Sequence, residues 1–228
     1  MGGMGKRKEY TMYEYVTKKE YAPVKVKLES ILRRAQQIMA SDYKLKFKYE
    51  LIGSGKRHLI TQIKDGNKGF DFDYNLIIPH PGQGYHYKAD VIKSDFIEAF
   101  KIALKCTQYS FPKDSTSAIT IKMVDKVNSK IKYSCDFAIM YYDENDGCDG
   151  YMYLRNDKST GNYHFAFRYH SRTDTNEKLA EILEYEDGWN WIRDEYWKLK
   201  NRNESNKNKH SFSLYIEAIN NIYNQINQ

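Results

Sequence analysis

Long apolar runs are missing from this chain. No stretch approaches membrane-spanning length and the mean hydropathy is −0.79, so the expected protein is soluble, with no membrane partner. Cysteine is scarce: Cys106, Cys135 and Cys148 are odd in number and without C-x-x-C spacing. Neither a disulfide framework nor a zinc site follows, and a reducing cytoplasm is the expected setting. The basic opening "MGGMGKRKEY" leads into no apolar segment, which excludes reading it as a secretory signal. No internal repeat is present. The segment "GSGKR" is not a Walker A loop, because the upstream glycine and the Ser/Thr after Lys56 are both absent; Arg57 follows instead.

What is present is bulk and uneven charge. The 228 residues suit one domain, or one domain with a modest second lobe. Hydrophobic content is only 41%, yet 21 Tyr and 10 Phe supply enough volume for a core. Net charge is +6, and it is tilted. Up to Lys68 there are 16 Lys/Arg against 7 Asp/Glu, whereas the remainder carries 20 against 23. A basic first third attracts anions such as nucleotides or RNA.

Periodicity predicts an α+β chain with a strand-rich front and a helical tail. Residues 1–23 read as a polar leader. "VKVKLESILRRAQQIMA" (24–40) has helical spacing, and "YKLKFKYEL" (43–51) alternates as a strand with one wet face. "HLITQI" is open between strand and helical turn, and "KDGNKG" is a turn cluster. A helix is expected over 90–106. Strands are expected over 117–124 and 130–142 as an antiparallel hairpin, and in "YMYLR" and "YHFAFRYH" as another pair. Three helices follow from about Asp174, with the Asn/Lys-rich "NRNESNKNKH" linking the last two. The domain reading is a leader (1–23), a core (24–170) and a helical C-terminal region (171–228).

Within that frame "GFDFDYNLII" (69–78) is unusual. On a strand Phe70, Phe72, Tyr74, Leu76 and Ile78 point one way, leaving Asp71, Asp73 and Asn75 on the other face. Two carboxylates on alternate residues repel each other unless a cation is shared, and hard oxygen donors suit magnesium. The plain alternative is that they decorate a half-exposed strand. Upstream, "LIGSG" closes a strand with Gly53 and Ser54, whose backbone N–H groups can approach phosphate oxygens. Downstream, Asp136 lies within a strand between the small face-mates Ser134 and Ala138.

A strand ending in Gly-Ser ("IGS", 52–54), a strand carrying Asp-x-Asp ("FDFDY", 70–74) and a later strand with a single Asp resemble the DNA polymerase beta-type nucleotidyltransferase superfamily. The match covers roughly residues 24–142, with a 16-residue spacer between Ser54 and Asp71 that makes "KDGNKG" an inserted turn. The long N-terminal helix, the hairpin-borne third Asp and the helical tail resemble the cyclic-dinucleotide and oligoadenylate synthase branch. The resemblance implies a mixed sheet flanked by helices and two-metal transfer of NMP from an NTP such as ATP to a hydroxyl, with pyrophosphate released. It implies Asp71, Asp73 and Asp136 as catalytic metal ligands for two Mg²⁺, with Mn²⁺ as a substitute, and Gly53 and Ser54 on the β- and γ-phosphates. Lys56 and Arg57 would add charge to the triphosphate, with a plain surface role as the alternative. The acceptor is left open between a nucleotide, an RNA, a small molecule and a protein, and the oligomeric state is not indicated. The alternative function is a non-catalytic nucleotide- or nucleic-acid-binding module of the same fold.

Other residues read as structural. Asp143, Glu144, Asp146 and Asp149 lack EF-hand spacing. His164 and His170 have no third ligand. "SFPKDSTS" (110–117) is either a loop or a contact for the nucleotide sugar. Trp189, Trp191, Tyr196 and Trp197 suit helix packing, while Tyr141, Tyr142 and Tyr185 are candidates for stacking on a base.

Overall fold

The structure is a computed structural model and describes residues 12–82, 84–142, 150–169, 174–206 and 208–227. Its elements run β1 (Tyr13–Tyr15), α1 (Lys18–Asp42), β2 (Lys48–Ile52), α2 (Gly53–Lys56), β3 (Thr61–Ile63), β4 (Phe70–Ile77), α3 (Ala89–Ala103), β5 (Lys113–Asp114), β6 (Ile119–Asp125), β7 (Lys130–Tyr142), β8 (Gly150–Asp157), β9 (Asn162–Tyr169), α4 (Thr175–Leu183), α5 (Gly188–Asn206) and α6 (Ser211–Ile226). They form two compact units. No helix among the described residues is long and apolar enough to cross a membrane.

The larger unit holds α1, β2, α2, β4, α3 and β5 to β9. Its sheet runs β2-β4-β7-β6-β5, with β8 added to β7 and β9 to β8. β4 and β7 are parallel; every other pair in this sheet is antiparallel. Alternation explains how it packs. Phe70, Phe72, Tyr74 and Leu76 on β4 and Tyr133, Cys135, Phe137 and Ile139 on β7 are all buried. They lie in one core with Leu28, Leu32, Ala35 and Met39 of α1 and Phe96, Ala99, Phe100 and Ala103 of α3. Phe100 stacks on Phe137 with ring centroids 4.5 Å apart. Burying each such ring is worth about 1.5–3 kcal/mol. The helices therefore cover one face of the sheet with its apolar side chains. The other face carries the polar residues.

The smaller unit joins the β1–β3 ribbon to α4, α5 and α6. Trp197 Nε1 donates to the Tyr13 carbonyl at 2.6 Å, and the Arg193 guanidinium lies 4.5 Å from the Tyr15 ring centroid. Of the expected packing cluster, Tyr196 is buried in α5, whereas Trp191 is exposed and lies beside Tyr185.

Several boundaries differ from the sequence reading. The helix expected over 90–106 is α3 and ends at Ala103, before Cys106 takes φ +62°. α1 begins at Lys18, because Thr17 and Glu20 form a reciprocal capping box that starts the helix inside the polar leader. The strand expected over 43–51 is formed only over Lys48–Ile52. Lys44 takes φ +56°, and the Leu45 amide returns to the Met39 carbonyl to close α1, which removes residues 43–47 from pairing. The apolar face is kept regardless: Phe47 is buried, and Tyr43, Leu45, Tyr49 and Leu51 pack on the core. Finally, α5 continues to Asn206, so most of "NRNESNKNKH" is helical rather than linking. The strands over 130–142 and in "YMYLR" stand where periodicity puts them, as does "YHFAFRYH" up to Tyr169.

Candidate active site

β4 and β7 run side by side in parallel, and their register sets Asp73 opposite Asp136 and Asp71 opposite Ser134. Partners in register on neighbouring strands are about 4.8 Å apart and point to the same face. Since Phe70, Phe72 and Tyr74 fill the core, the three aspartates share the opposite, open face. β6 extends it, with Thr120 opposite Asp136 and Lys122 opposite Ser134. Two rows result: Asp71, Ser134, Lys122 and, beside it, Asp73, Asp136, Thr120.

The hydroxyls of this face are engaged. Ser134 Oγ donates to Asp71 Oδ1, and Thr120 Oγ1 donates to Asp136 Oδ1. Burial pushes the Asp136 carboxyl above its ordinary value; the Thr120 hydrogen bond opposes this, the Asp71 charge adds to it and Lys122 opposes it. On the core side, burial pushes the Cys135 thiol well up, and the charges of Asp73, Asp136 and Asp71 add to it. All three carboxylates thus act on one intervening thiol.

β2 brings the glycine bend to the same place. Ile52 pairs with Asp73, so the next residue, Gly53, lies against the Asp73 side chain. Gly53 has φ +62°, and a Cβ there would sit 2.5 Å from Asp73 Oδ2. Only glycine fits. Ser54 follows in α2, where its carbonyl accepts from the Leu59 amide at 2.9 Å. Arg57 Nη1 donates to the Gly53 carbonyl at 2.9 Å and so braces the bend. Lys56 pairs with Glu50 at 2.5 Å.

The spacer after Ser54 is an excursion into another unit: residues 61–63 form β3 and pair with β1 before the chain returns to β4. Gly69 closes that return at φ +62°, where a Cβ would run into the Lys132 carbonyl.

The sequence-derived set is therefore brought together as far as the backbone goes. Asp71, Asp73 and Asp136 share a face and Gly53 abuts it. The side chains stand less close. Among the described residues, no group of three His, Cys, Asp or Glu side chains converges as a ready metal centre. Asp71 and Asp136 lean to Ser134 and Thr120, and a turn of either carboxylate would exchange a hydroxyl for a cation. The donor set, three carboxylates on two adjacent strands, suits hard divalent ions. Thr120 and Lys122 were missed at the sequence level, although their alternation with Ile119 and Ile121 marks them as residues of the open face. Tyr141 is not a base platform: it is buried and packs on Phe165 at 5.1 Å. Tyr185 lies in the smaller unit against Trp191. His170 and the acidic residues 143–149 lie outside the described residues.

No family model and no curated protein matches the chain. Solved structures do. The di-nucleotide cyclase DncV of Vibrio cholerae, as a mutant in complex with ATP, GTP and a third ligand, superposes with a TM-score of 0.64 at 9% identity, covering 91% of this chain and 69% of that one. Vibrio cholerae DncV described as a cyclic AMP-GMP synthase, in complex with a linear intermediate, gives 0.50 at 12% identity, covering 81% of this chain and 61% of that one. Escherichia coli DncV in its 3′-deoxy GTP bound form gives 0.53 at 11% identity, covering 91% and 54%. The chain has the nucleotidyltransferase fold. It spans between 54 and 69% of the length of these three solved chains.

Proposed function

We propose that the chain is a Mg²⁺-dependent nucleotidyltransferase that moves NMP from an NTP to a hydroxyl. One observation carries the reading: Asp73 and Asp136 stand in register on adjacent parallel strands, with Asp71 on the same face and Gly53 against Asp73. A chain using this face only as a solvated surface has no need to set three carboxylates side by side, where burial and the Asp71 charge oppose the ionisation of Asp136. The NTPs bound by the solved relatives support an NTP as donor.

Asp71, Asp73 and Asp136 would hold divalent cations, two in the family scheme, and Mn²⁺ would serve in place of Mg²⁺. Bound there, the cations would neutralise triphosphate charge and make the acceptor hydroxyl more acidic. The chain's own residues do the rest. Gly53 and Ser54 bring backbone N–H groups to the β- and γ-phosphates without side-chain bulk. Arg57 holds the bend through the Gly53 carbonyl. Lys56 reaches the triphosphate only by leaving Glu50. The acceptor oxygen forms its bond to the α-phosphorus, the bond from that phosphorus to the β-bridging oxygen breaks, pyrophosphate leaves, and the hydroxyl proton passes to solvent.

A non-catalytic nucleotide-binding module is the second reading, and one observation favours it: Asp71 and Asp136 accept hydrogen bonds from neighbouring hydroxyls. Incubation with each α-labelled NTP and Mg²⁺ or Mn²⁺, with and without total RNA, separates the two. Label transfer or pyrophosphate release that disappears in Asp71→Ala and Asp136→Ala supports the enzyme. NTP binding with no transfer under any of these conditions supports the binding module.

A further inference from the structure

The open face does not end at the carboxylates. Beyond Asp136, β7 continues to Tyr142, and there β8 pairs with it: Met140 faces Tyr153 and Tyr142 faces Tyr151. Side chains paired in register share a face, so Tyr151 and Tyr153 lie on the side of the sheet that carries Asp136. β9 adds Arg168 opposite Tyr151 and His164 opposite Arg155. The other side of the hairpin is spoken for: Leu154 and Asn156 are buried there, and Met152, Tyr163 and Phe165 pack on the core.

This outer hairpin face is aromatic and cationic. The Tyr151 and Tyr153 rings are 6.4 Å apart, and the Arg168 guanidinium lies over Tyr153 at 4.6 Å. Arg155 and His164 are exposed, and among the described residues neither forms an ion pair. The one carboxylate of β8 and β9 is Asp157 at the turn end of this face, where its Oδ1 accepts from the Ser159 amide and hydroxyl; no Asp or Glu occurs in 151–156 or 162–169. Aromatic rings interleaved with guanidinium groups on a sheet surface provide stacking for bases and charge for phosphates, without reading sequence. Half-buried tyrosines on a strand are ordinary; what distinguishes these is that they share a sheet face with three carboxylates, with the buried Met140 between.

We propose that Tyr151, Tyr153, Arg155, His164 and Arg168 bind a single-stranded nucleic acid, whose terminal hydroxyl is thereby directed along the sheet toward Asp71, Asp73 and Asp136. Length selects a strand over a mononucleotide. Along β7 the surface runs from Tyr153, opposite Met140 and about 13 Å from Asp136, to Tyr151, opposite Tyr142 and about 20 Å from it, so one nucleotide held at the carboxylates cannot cover all of it. Only the direction assigned to the strand rests on the transferase reading; the binding surface stands apart from it.

The test is fluorescence anisotropy of the full chain with a labelled 20-mer RNA and a DNA of the same sequence, in EDTA and without NTP, over a salt series. Both oligonucleotides are used because stacking and phosphate charge are common to them. Wild-type binding that weakens with salt is expected. Arg155→Ala should weaken it about tenfold and reduce the salt slope by about 0.7. Tyr153→Ala should weaken it about tenfold, with Tyr153→Phe near wild type, which sets lost stacking apart from lost folding. Lys101→Ala, a half-exposed lysine on α3 paired with Glu98, should change nothing. Asp71→Asn should still bind, and wild type that binds the oligonucleotide but transfers no label from any NTP sinks the transferase reading and leaves this one standing. No binding by wild type, equal loss in Lys101→Ala, or full competition by AMP at equal nucleotide concentration would overturn the proposal.

Discussion

Gly53 and Asp73 touch. The backbone bend after β2 passes so close to the Asp73 carboxylate that no side chain can stand between them, and the bend itself needs φ +62°. Gly53→Ala therefore meets two obstacles. The left-handed conformation costs about 1–2 kcal/mol for a residue with a Cβ, and the new methyl displaces Asp73 Oδ2. We expect Gly53→Ala to fold with a melting temperature a few degrees lower, while NTP-dependent transfer falls by at least about a hundredfold if Asp73 is one of the proposed catalytic carboxylates. Thermal melts and the labelling assay on one preparation check both halves.

Asp136 sets function against stability. Burial and the Asp71 charge raise its carboxyl, so the ionised form is the disfavoured one in the fold. For a group raised on folding, the stability it contributes is present below the unfolded pKa and is lost as pH rises through the folded one. At neutral pH, then, Asp136 is a cost. Asp136→Asn keeps an oxygen for Thr120 and removes that charge. It should raise the melting temperature near neutrality, with the gain shrinking on acidification, while abolishing transfer. A variant equally inactive but less stable at pH 7 would contradict this electrostatic account.

Much of this arrangement was legible in the sequence. The alternation of "FDFDY" and "KYSCDFAIM" fixed which side chains face outward, because period 2 on a strand with one covered side leaves a single consistent choice. The parallel register that sets Asp73 beside Asp136 was not legible, since pairing between residues 63 positions apart is decided by the fit of the whole sheet on α1 and α3. The early start of α1 was written in Thr17 and Glu20, but Pro23 and the lysines around it masked the signal. β3 was ambiguous because its pairing partner, β1, lies inside a segment that reads as leader. Open-face Thr120 and Lys122 look like ordinary wet-face residues until the register places them beside the carboxylates.

Tyr74 carries a hydroxyl that does no evident work. Its ring is 1% exposed in the core, burial pushes the phenol far up, and among the described residues the oxygen has no hydrogen-bond partner. A buried polar atom without a partner costs about 1–3 kcal/mol. Tyr74→Phe should leave stability unchanged or raise it, with activity intact, since position 74 points away from the aspartates. Urea denaturation showing a loss above about 1 kcal/mol would mean that the hydroxyl is satisfied after all.

Lys93 on α3 is the opposite case, a buried polar group that is fully committed. It is 2% exposed; its Nζ donates to the Ala118 carbonyl at 3.0 Å and lies 3.0 Å from Asp114 Oδ1. Asn156 Nδ2 and the Tyr163 hydroxyl donate to Asp114 Oδ2 at 2.6 and 2.7 Å, so one carboxylate ties α3, β5, β8 and β9 together. Burial alone would raise Asp114, but the bonds from Tyr163, Lys93 and Asn156 outweigh it and hold the carboxyl below its ordinary value. A group lowered on folding contributes stability above its unfolded pKa and loses it as pH falls through the folded one, so this cluster weakens on the acid side. Asp114→Ala leaves the Lys93 ammonium buried without its anion and should cost about 3–5 kcal/mol. Lys93→Met with Asp114→Leu removes both charges and should recover most of that loss, together with the acid sensitivity. Urea melts of the single and double variants at pH 4 and pH 7 separate a charge that must be paired from a volume that must be filled: a double variant as unstable as Asp114→Ala at both pH values would show that packing, not the ion pair, holds β5 in place.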